Sequence, residues 1–152
     1  MKQEFSAGGI VFRQARPERS RRKEDKSDKD NIEVLVCQHS YHHGWVFPKG
    51  LIGDTIADEG AEATALREVT EETGAIGKIL QALSPVSYWY IFEKEKRKKT
   101  VYYFLMEFVG GDITQHDHEM ENVEWISIEE VEKRLSYKSD KKTWEEAKKL
   151  IQ

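Results

Sequence analysis

Cysteine is nearly missing from this chain: 152 residues contain one, Cys37. A lone cysteine excludes an internal disulfide framework, and the expected setting is a reducing cytoplasm. Cys37 lies in an apolar run, where it reads as a small buried core residue. Zinc-type ligand spacing is absent as well. His39, His42 and His43 sit close together, but no Cys/His pattern supports them, so a zinc site is not expected. No apolar run approaches the roughly 20 residues that cross a bilayer. The opening residues Met1 to Glu4 lack the layout of a signal peptide, and neither a leader nor a membrane partner is expected. There is no internal repeat. There is also no excess of positive charge: the net charge of −4 argues against a stable nucleic-acid partner or a membrane-surface binder.

What is present fits one domain over residues 1–152, with 38% hydrophobic residues for a core and 34% charged residues for its surface. Residues 5–12 are β-rich and carry the pair Gly8 and Gly9, which suits a kinked strand, a close backbone approach, or a floor for a base or ribose. The stretch 13–30 turns highly charged and has no apolar residue from Arg16 onward. It reads as a long surface loop, with Arg19 to Lys23 as a less favoured phosphate or RNA contact. A buried strand follows over 32–38, then a loop over 39–44 whose His42 and His43 are within reach of a substrate. Two strands over 84–92 and 100–109 form a hairpin with a basic connection, 93–99. A further strand is expected over 121–127. Helices are expected over 128–135 and 141–151, capped by Ser127 and by Ser139 or Asp140.

The organising stretch is 53–75. Its second half has Ala61, Ala65, Leu66 and Val69 at helical spacing and Gly74 where a C-cap belongs. At about 100° per residue, Glu68 and Glu72 fall about 40° apart, and Glu71 about 60° to the other side of Glu68. Three carboxylates thus share one wedge at the border of the apolar face. Like charges at this spacing weaken a helix. The wedge is either a solvated acidic end or a platform for a hard divalent cation, which takes oxygen ligands.

The same stretch resembles the signature of the Nudix hydrolases. Gly53, Glu59, Arg67, Glu68, Val69, Glu71, Glu72, Gly74 and Ala75 occupy all nine defined positions at the required spacing. One departure precedes them. The Phe-Pro-x-Gly segment that often supplies the first glycine ends here at Gly50, three residues before Gly53. We read this as an insertion, with Gly50 as the working glycine. Softer likenesses point to the diadenosine tetraphosphate hydrolase branch. They are Glu4 to Gly9, Phe47 to Gly50, Tyr88 to Tyr90, Lys99 to Val101, and Tyr137 with Lys138.

The resemblance implies an α/β (α+β) fold, a mixed β-sheet sandwiched between helices with a loop–helix–loop box. It implies Mg2+, or Mn2+, and hydrolysis of a small-molecule nucleotide, foremost diadenosine tetraphosphate to ATP and AMP. Nucleoside triphosphates, RNA 5′ ends and inositol pyrophosphates are alternatives, as is a non-catalytic nucleotide sensor. By position, Glu68, Glu71 and Glu72 are implied catalytic metal ligands, joined by the Gly50 carbonyl. Glu119, in the polar loop after the hairpin, is implied as a base or further ligand. Arg67 and Glu59 are implied to steady the acids. Lys49 and Lys99 are candidate phosphate contacts, and Tyr88, Tyr90 and His43 candidate substrate contacts. Core packing for the rings and ordinary surface for the lysines are the competing readings.

Overall fold

The computed structural model describes residues 2–15, 31–53 and 56–151. The charged loop expected over 13–30, with Arg19 to Lys23, falls outside them from residue 16 onward, while Arg13 and Gln14 continue the first strand. In chain order the elements are β1 (Lys2–Gln14), β2 (Ile32–His39), β3 (Trp45–Val46), β4 (Lys49–Leu51), α1 (Ala61–Thr73), β5 (Ala75–Ala82), β6 (Val86–Phe92), β7 (Glu95–Gly111), β8 (Met120–Ser127), α2 (Val131–Arg134) and α3 (Lys138–Ile151). No helix among the described residues is long and apolar enough to cross a membrane.

Two long strands form the spine of a mixed sheet. β1 runs parallel to β7 from Lys2↔Arg97 to Phe12↔Glu107. Along its far edge β7 pairs antiparallel with β5 and then β6. The other edge of β1 is shared. Its last residues pair with β2, from Phe12↔Val34 to Gln14↔Ile32, and Ser6 to Gly8 pair with β4. β2 continues away to pair with β3 at Cys37↔Val46 and with β8 along its length. The sheet therefore forks, and the segment that crosses the fork is Phe47–Pro48, where the Pro48 carbonyl accepts the Gly9 N–H at 3.2 Å.

Strand alternation sends successive side chains to opposite faces, so each face carries its own core. On one face Ala7, Val11, Leu35, Phe104 and Met106 meet Ala65 and Val69 of α1. On the other, Ile10, Val34, Val36, Val101, Tyr103 and Leu105 meet Trp144 and Ala147 of α3. This is the expected sheet between helices. Cys37 is fully buried, also as expected.

Four local readings change. The glycine pair is not a ligand floor. A Cβ on Gly9 would lie 2.8 Å from Val69 and Met106, and one on Gly8 would lie 2.2 Å from the Pro48 carbonyl oxygen, so protein covers both. Leu66 leaves the core stripe of α1 and is 36% exposed, because it sits about 100° around the helix from Ala65. The basic connection over 93–99 shrinks to the turn Glu93–Lys94, with φ of 51° and 64°. Lys96 to Lys99 instead pair with β6, and β1 on their other side supports the longer strand. At the C-terminal end, the helix expected over 128–135 contracts to Val131–Arg134, and α3 begins at Lys138. Ser139 and Asp140 thus lie in its first turn, where Asp140 is buried and hydrogen-bonded rather than capping.

Candidate active site

Helix α1 carries the acids. It ends at Gly74, whose φ of 83° and N–H to Thr70 oxygen at 2.8 Å form a left-handed cap. Within the helix one guanidinium gathers the carboxylates. Arg67 Nε and Nη2 donate to both oxygens of Glu59 at 2.9–3.2 Å. Its Nη1 donates to Glu68 Oε1 and to Glu71 Oε2, each at 3.0 Å. Glu59 also accepts the Thr64 hydroxyl at 2.7 Å. Hydrogen bonds from Arg67 and then Thr64 hold the Glu59 carboxyl below its ordinary range, and Glu59 in turn holds Arg67 above its own. Arg67 thus links Glu59 to Glu68 and Glu71.

The acids differ in surroundings. Glu72 is 5% exposed and Glu68 9%, whereas the Glu71 side chain faces solvent. Burial pushes the Glu72 carboxyl well up, only partly offset by the Lys49 N–H, which donates to Glu72 Oε2 at 2.9 Å. Burial raises Glu68 too, against the pull of Arg67. Gly50, in β4, lies flat against Glu68: a Cβ there would come within 2.1 Å of its carboxyl carbon. Gly53, by contrast, has φ of 78° and nothing within 4 Å of its Cβ position. It turns the chain and stands away from the acids.

A cavity of about 630 Å³ opens over Glu68, Glu71 and Glu72 and is also lined by Gly50, Lys49, Tyr88, Lys99 and Glu119. The loop carrying Glu119 is tied at both ends. Asp117 N–H donates to the Glu71 carbonyl at 3.2 Å, and the Glu119 carbonyl accepts from Ser40 N–H and its hydroxyl, both at 2.9 Å. A second cavity of about 470 Å³ is lined by Tyr90, Tyr137, Lys138, Ser139 and Asp140. His42, Val46, Lys49, Tyr88 and Lys99 line both cavities, so the two are one cleft with an acidic end and a tyrosine–lysine end.

Alternation on β6 aims Tyr88 and Tyr90 into the cleft, with ring centroids 6.3 Å apart and Lys99 Nζ 5.6 Å from the Tyr90 ring. Trp89 points to the opposite face beside Lys96. Burial and then Lys49 draw the Lys99 ammonium below its ordinary range. Burial draws Lys49 the same way, but Asp140, Tyr88 and Glu72 more than offset it, and Lys49 is held above.

One expected contact moves. His43 takes a positive φ of 60°, pairs its Nδ1 with Glu121, and lines neither cavity. His42 does instead. Its ring stacks on His39 at 4.3 Å, and its Nδ1 meets the Gly44 N–H at 3.0 Å and the Tyr137 hydroxyl at 2.9 Å. Burial and then His39 lower His42, which suits a neutral imidazole accepting at Nδ1. Two histidines in sequence have no periodic signal to tell them apart, and the turn decides. His39, Asp117 and His118 also line the acidic end and had no site role from the sequence, and Asp140 at the other end had been read only as a helix cap. Tyr137 and Lys138 had a signal in the branch likeness but no assigned role.

Among the described residues, no three acid or imidazole groups already close into a metal cage. Magnesium needs none, since it keeps waters and takes one or two carboxylates together with substrate phosphates. The donors fit such an ion. They are oxygen atoms, and Glu68 and Glu72 are withdrawn from water with incomplete compensation, which a cation completes.

These features define a class of protein. A model of the NUDIX domain matches residues 24–149, and the chain belongs to the Nudix hydrolase family. Over 107 residues it is 41% identical to the MutT4 protein of Mycobacterium tuberculosis, covering 70% of this chain and 42% of that protein. The chain thus spans about two fifths of the length of that relative. Over 129 residues it is 30% identical to the asymmetrical bis(5′-nucleosyl)-tetraphosphatase of Rattus norvegicus, covering 83% of this chain and 85% of the relative. In three dimensions it resembles the Ap4A hydrolase of C. elegans in a binary complex, with a TM-score of 0.65, 22% identity and 97% of each chain covered. That last likeness speaks for the fold.

Proposed function

We propose that the cleft hydrolyses a nucleoside polyphosphate, with diadenosine tetraphosphate split into ATP and AMP as its preferred reaction. The observation that carries this reading is the continuity of the cleft. One end offers oxygen ligands, the other two tyrosine rings, and Lys49, Tyr88 and Lys99 belong to both. A substrate with a nucleoside, a long phosphate chain and a second nucleoside has parts for each section. The tetraphosphatase relative supports the same substrate class.

A bound Mg2+ or Mn2+ would supply charge neutralisation of the phosphates and a water of lowered pKa. Glu68, Glu71 and Glu72 would hold it, with Gly50 and Glu119 at the margin of the site. The chain's own residues do the rest. Arg67 fixes the directions of Glu68 and Glu71 through Nη1. The Lys49 N–H fixes Glu72. A carboxylate at the acidic end takes the proton of the attacking water, and Glu119 is the residue we assign to that task. Lys49 and Lys99 meet the phosphates as point charges, and Tyr88 and Tyr90 offer flat faces to a base.

A substrate panel with Mg2+ and product identification tests this. The expected result is faster turnover of diadenosine tetraphosphate than of simple triphosphates, with ATP and AMP as the products. Equal or faster triphosphate hydrolysis would favour a second reading, a nucleoside triphosphate pyrophosphohydrolase, which a relative named an 8-oxo-(d)GTP phosphatase, 26% identical over 137 residues, supports. Binding without turnover in Mg2+ would favour a sensor.

A further inference from the structure

One buried acid in the cleft is left over by this chemistry. Asp140 is 3% exposed in the first turn of α3, on the face of the sheet opposite α1. The phenol of Tyr103, itself 1% exposed, donates to Asp140 Oδ1 at 3.0 Å. Tyr103 is in turn set by the edge of Phe47, with ring centroids 6.0 Å apart at 75°. A carboxylate so far from water is costly unless another charge compensates it.

Of the lysines that line the same cavity as Asp140, Lys49 is the one whose backbone also reaches the acidic end. Gly8 pairs with Lys49 across β1 and β4, and a Cβ on Gly8 would lie 2.7 Å from the Lys49 Cβ. Gly8 belongs to the same alternate set as Ile10 and Phe12, whose side chains face the α3 side. The Lys49 side chain therefore leaves the sheet on the α3 side, and Lys49 and Asp140 line the same cavity with Tyr88 and Lys99. Its backbone N–H meanwhile reaches Glu72, the buried acid of α1. Lys49 thus crosses the fork in the sheet, tied by its backbone to the acidic end and facing a second buried acid at the other.

We propose that Asp140, oriented by Tyr103, is a positioning residue that holds the Lys49 ammonium in the cleft for the phosphates farther from the acidic end. This rests on the polyphosphate reading of the cleft. Without Asp140, the Lys49, Lys99 and Lys138 charges would share one cavity with no buried counter-charge, and Lys49 would lose its fixed direction.

The test is a double-mutant cycle on the full chain with Mg2+ and a dinucleoside polyphosphate, reading KM and kcat separately. Lys49→Met is expected to raise KM by about tenfold or more. Asp140→Asn is expected to raise KM by about tenfold and to move kcat by less than about threefold. The two together should be no worse than Lys49→Met alone, since coupled residues are not additive. If the two effects multiply, or if Asp140→Asn lowers only Tm, the inference is overturned. If Lys49→Met leaves KM unchanged, the polyphosphate reading of the lysine fails and the inference falls with it. Should Asp140→Asn not fold, Tyr103→Phe takes its place. A KM rise of about threefold that vanishes in the Lys49→Met background supports the inference, and one that persists there overturns it.

Discussion

The two sides of the forked sheet solve different problems. On the α1 side, the acids are crowded along one helix and made tolerable by a single guanidinium that touches Glu59, Glu68 and Glu71. On the α3 side, the site is collected from β4, β6, β7, the 39–44 turn and the start of α3. The first side concentrates charge of one sign and creates demand for a cation. The second mixes lysines, tyrosines and one buried acid, and offers shape and counter-charge to an anion. One local element suffices to gather the acids. The tyrosine–lysine end needs residues from distant parts of the chain.

The sharpest way to separate the two sides is to break each in turn. Glu72→Gln removes a buried carboxylate that we propose holds the metal and should lower kcat by on the order of a thousandfold, with KM little changed. Single-turnover kinetics with Mg2+ check it, and a near-normal rate would remove Glu72 from the metal site. Arg67→Ala takes the guanidinium away from Glu59, Glu68 and Glu71, and on the proposed metal reading activity should fall by about 10- to 100-fold. Titration of Mg2+ against the initial rate reads the loss of affinity. Gly50→Ala tests the contact between the sides. Its methyl would collide with the Glu68 carboxyl. Activity should fall by about tenfold while Tm changes by only a few degrees.

The pH response gives a subtler contrast. Burial raises Glu68 and Glu72. In the metal-free protein they keep protons that the unfolded chain has already released. Between the unfolded and folded values the unfolded state binds fewer protons, so their contribution to stability falls as pH rises. Metal must displace those protons, so apparent Mg2+ affinity should rise with pH and level off above the folded value. Calorimetric titrations at several pH values check this, and affinity independent of pH would contradict the raised carboxyls. The smallest effect is expected at Leu66, whose place outside the core stripe predicts that Leu66→Ala shifts stability by no more than about 0.5 kcal/mol in denaturant unfolding.

The legibility of this protein follows the same divide. The helix, its cap at Gly74 and the adjacency of Glu68, Glu71 and Glu72 need only a 3.6-residue period, so they could be read directly. The strands around Val36, Ile91 and Phe104 were readable for a similar reason, since alternation and β-branched content are local. The hairpin turn was not. Lys96 to Lys99 look like a solvated connection until β1 and β6 flank them and satisfy their backbone groups. His43 and His42 are neighbours of the same type, and only the turn that pins Gly44 to His42 Nδ1 decides which enters the cleft. Asp140 read as a helix cap because a cap is what a local signal describes. Its burial against Tyr103 comes from a residue 37 positions away.

The sequence by itself determined the acidic helix and the family to which it belongs, because both are written in spacings of a few residues along one element. The fork in the sheet, the passage of Lys49 through it and the joining of two cavities into one cleft were decided only in three dimensions. They depend on strands far apart in the chain choosing partners and register, and on a missing Cβ at Gly8 and at Gly50 that lets β4 lie against β1 and the Glu68 carboxyl.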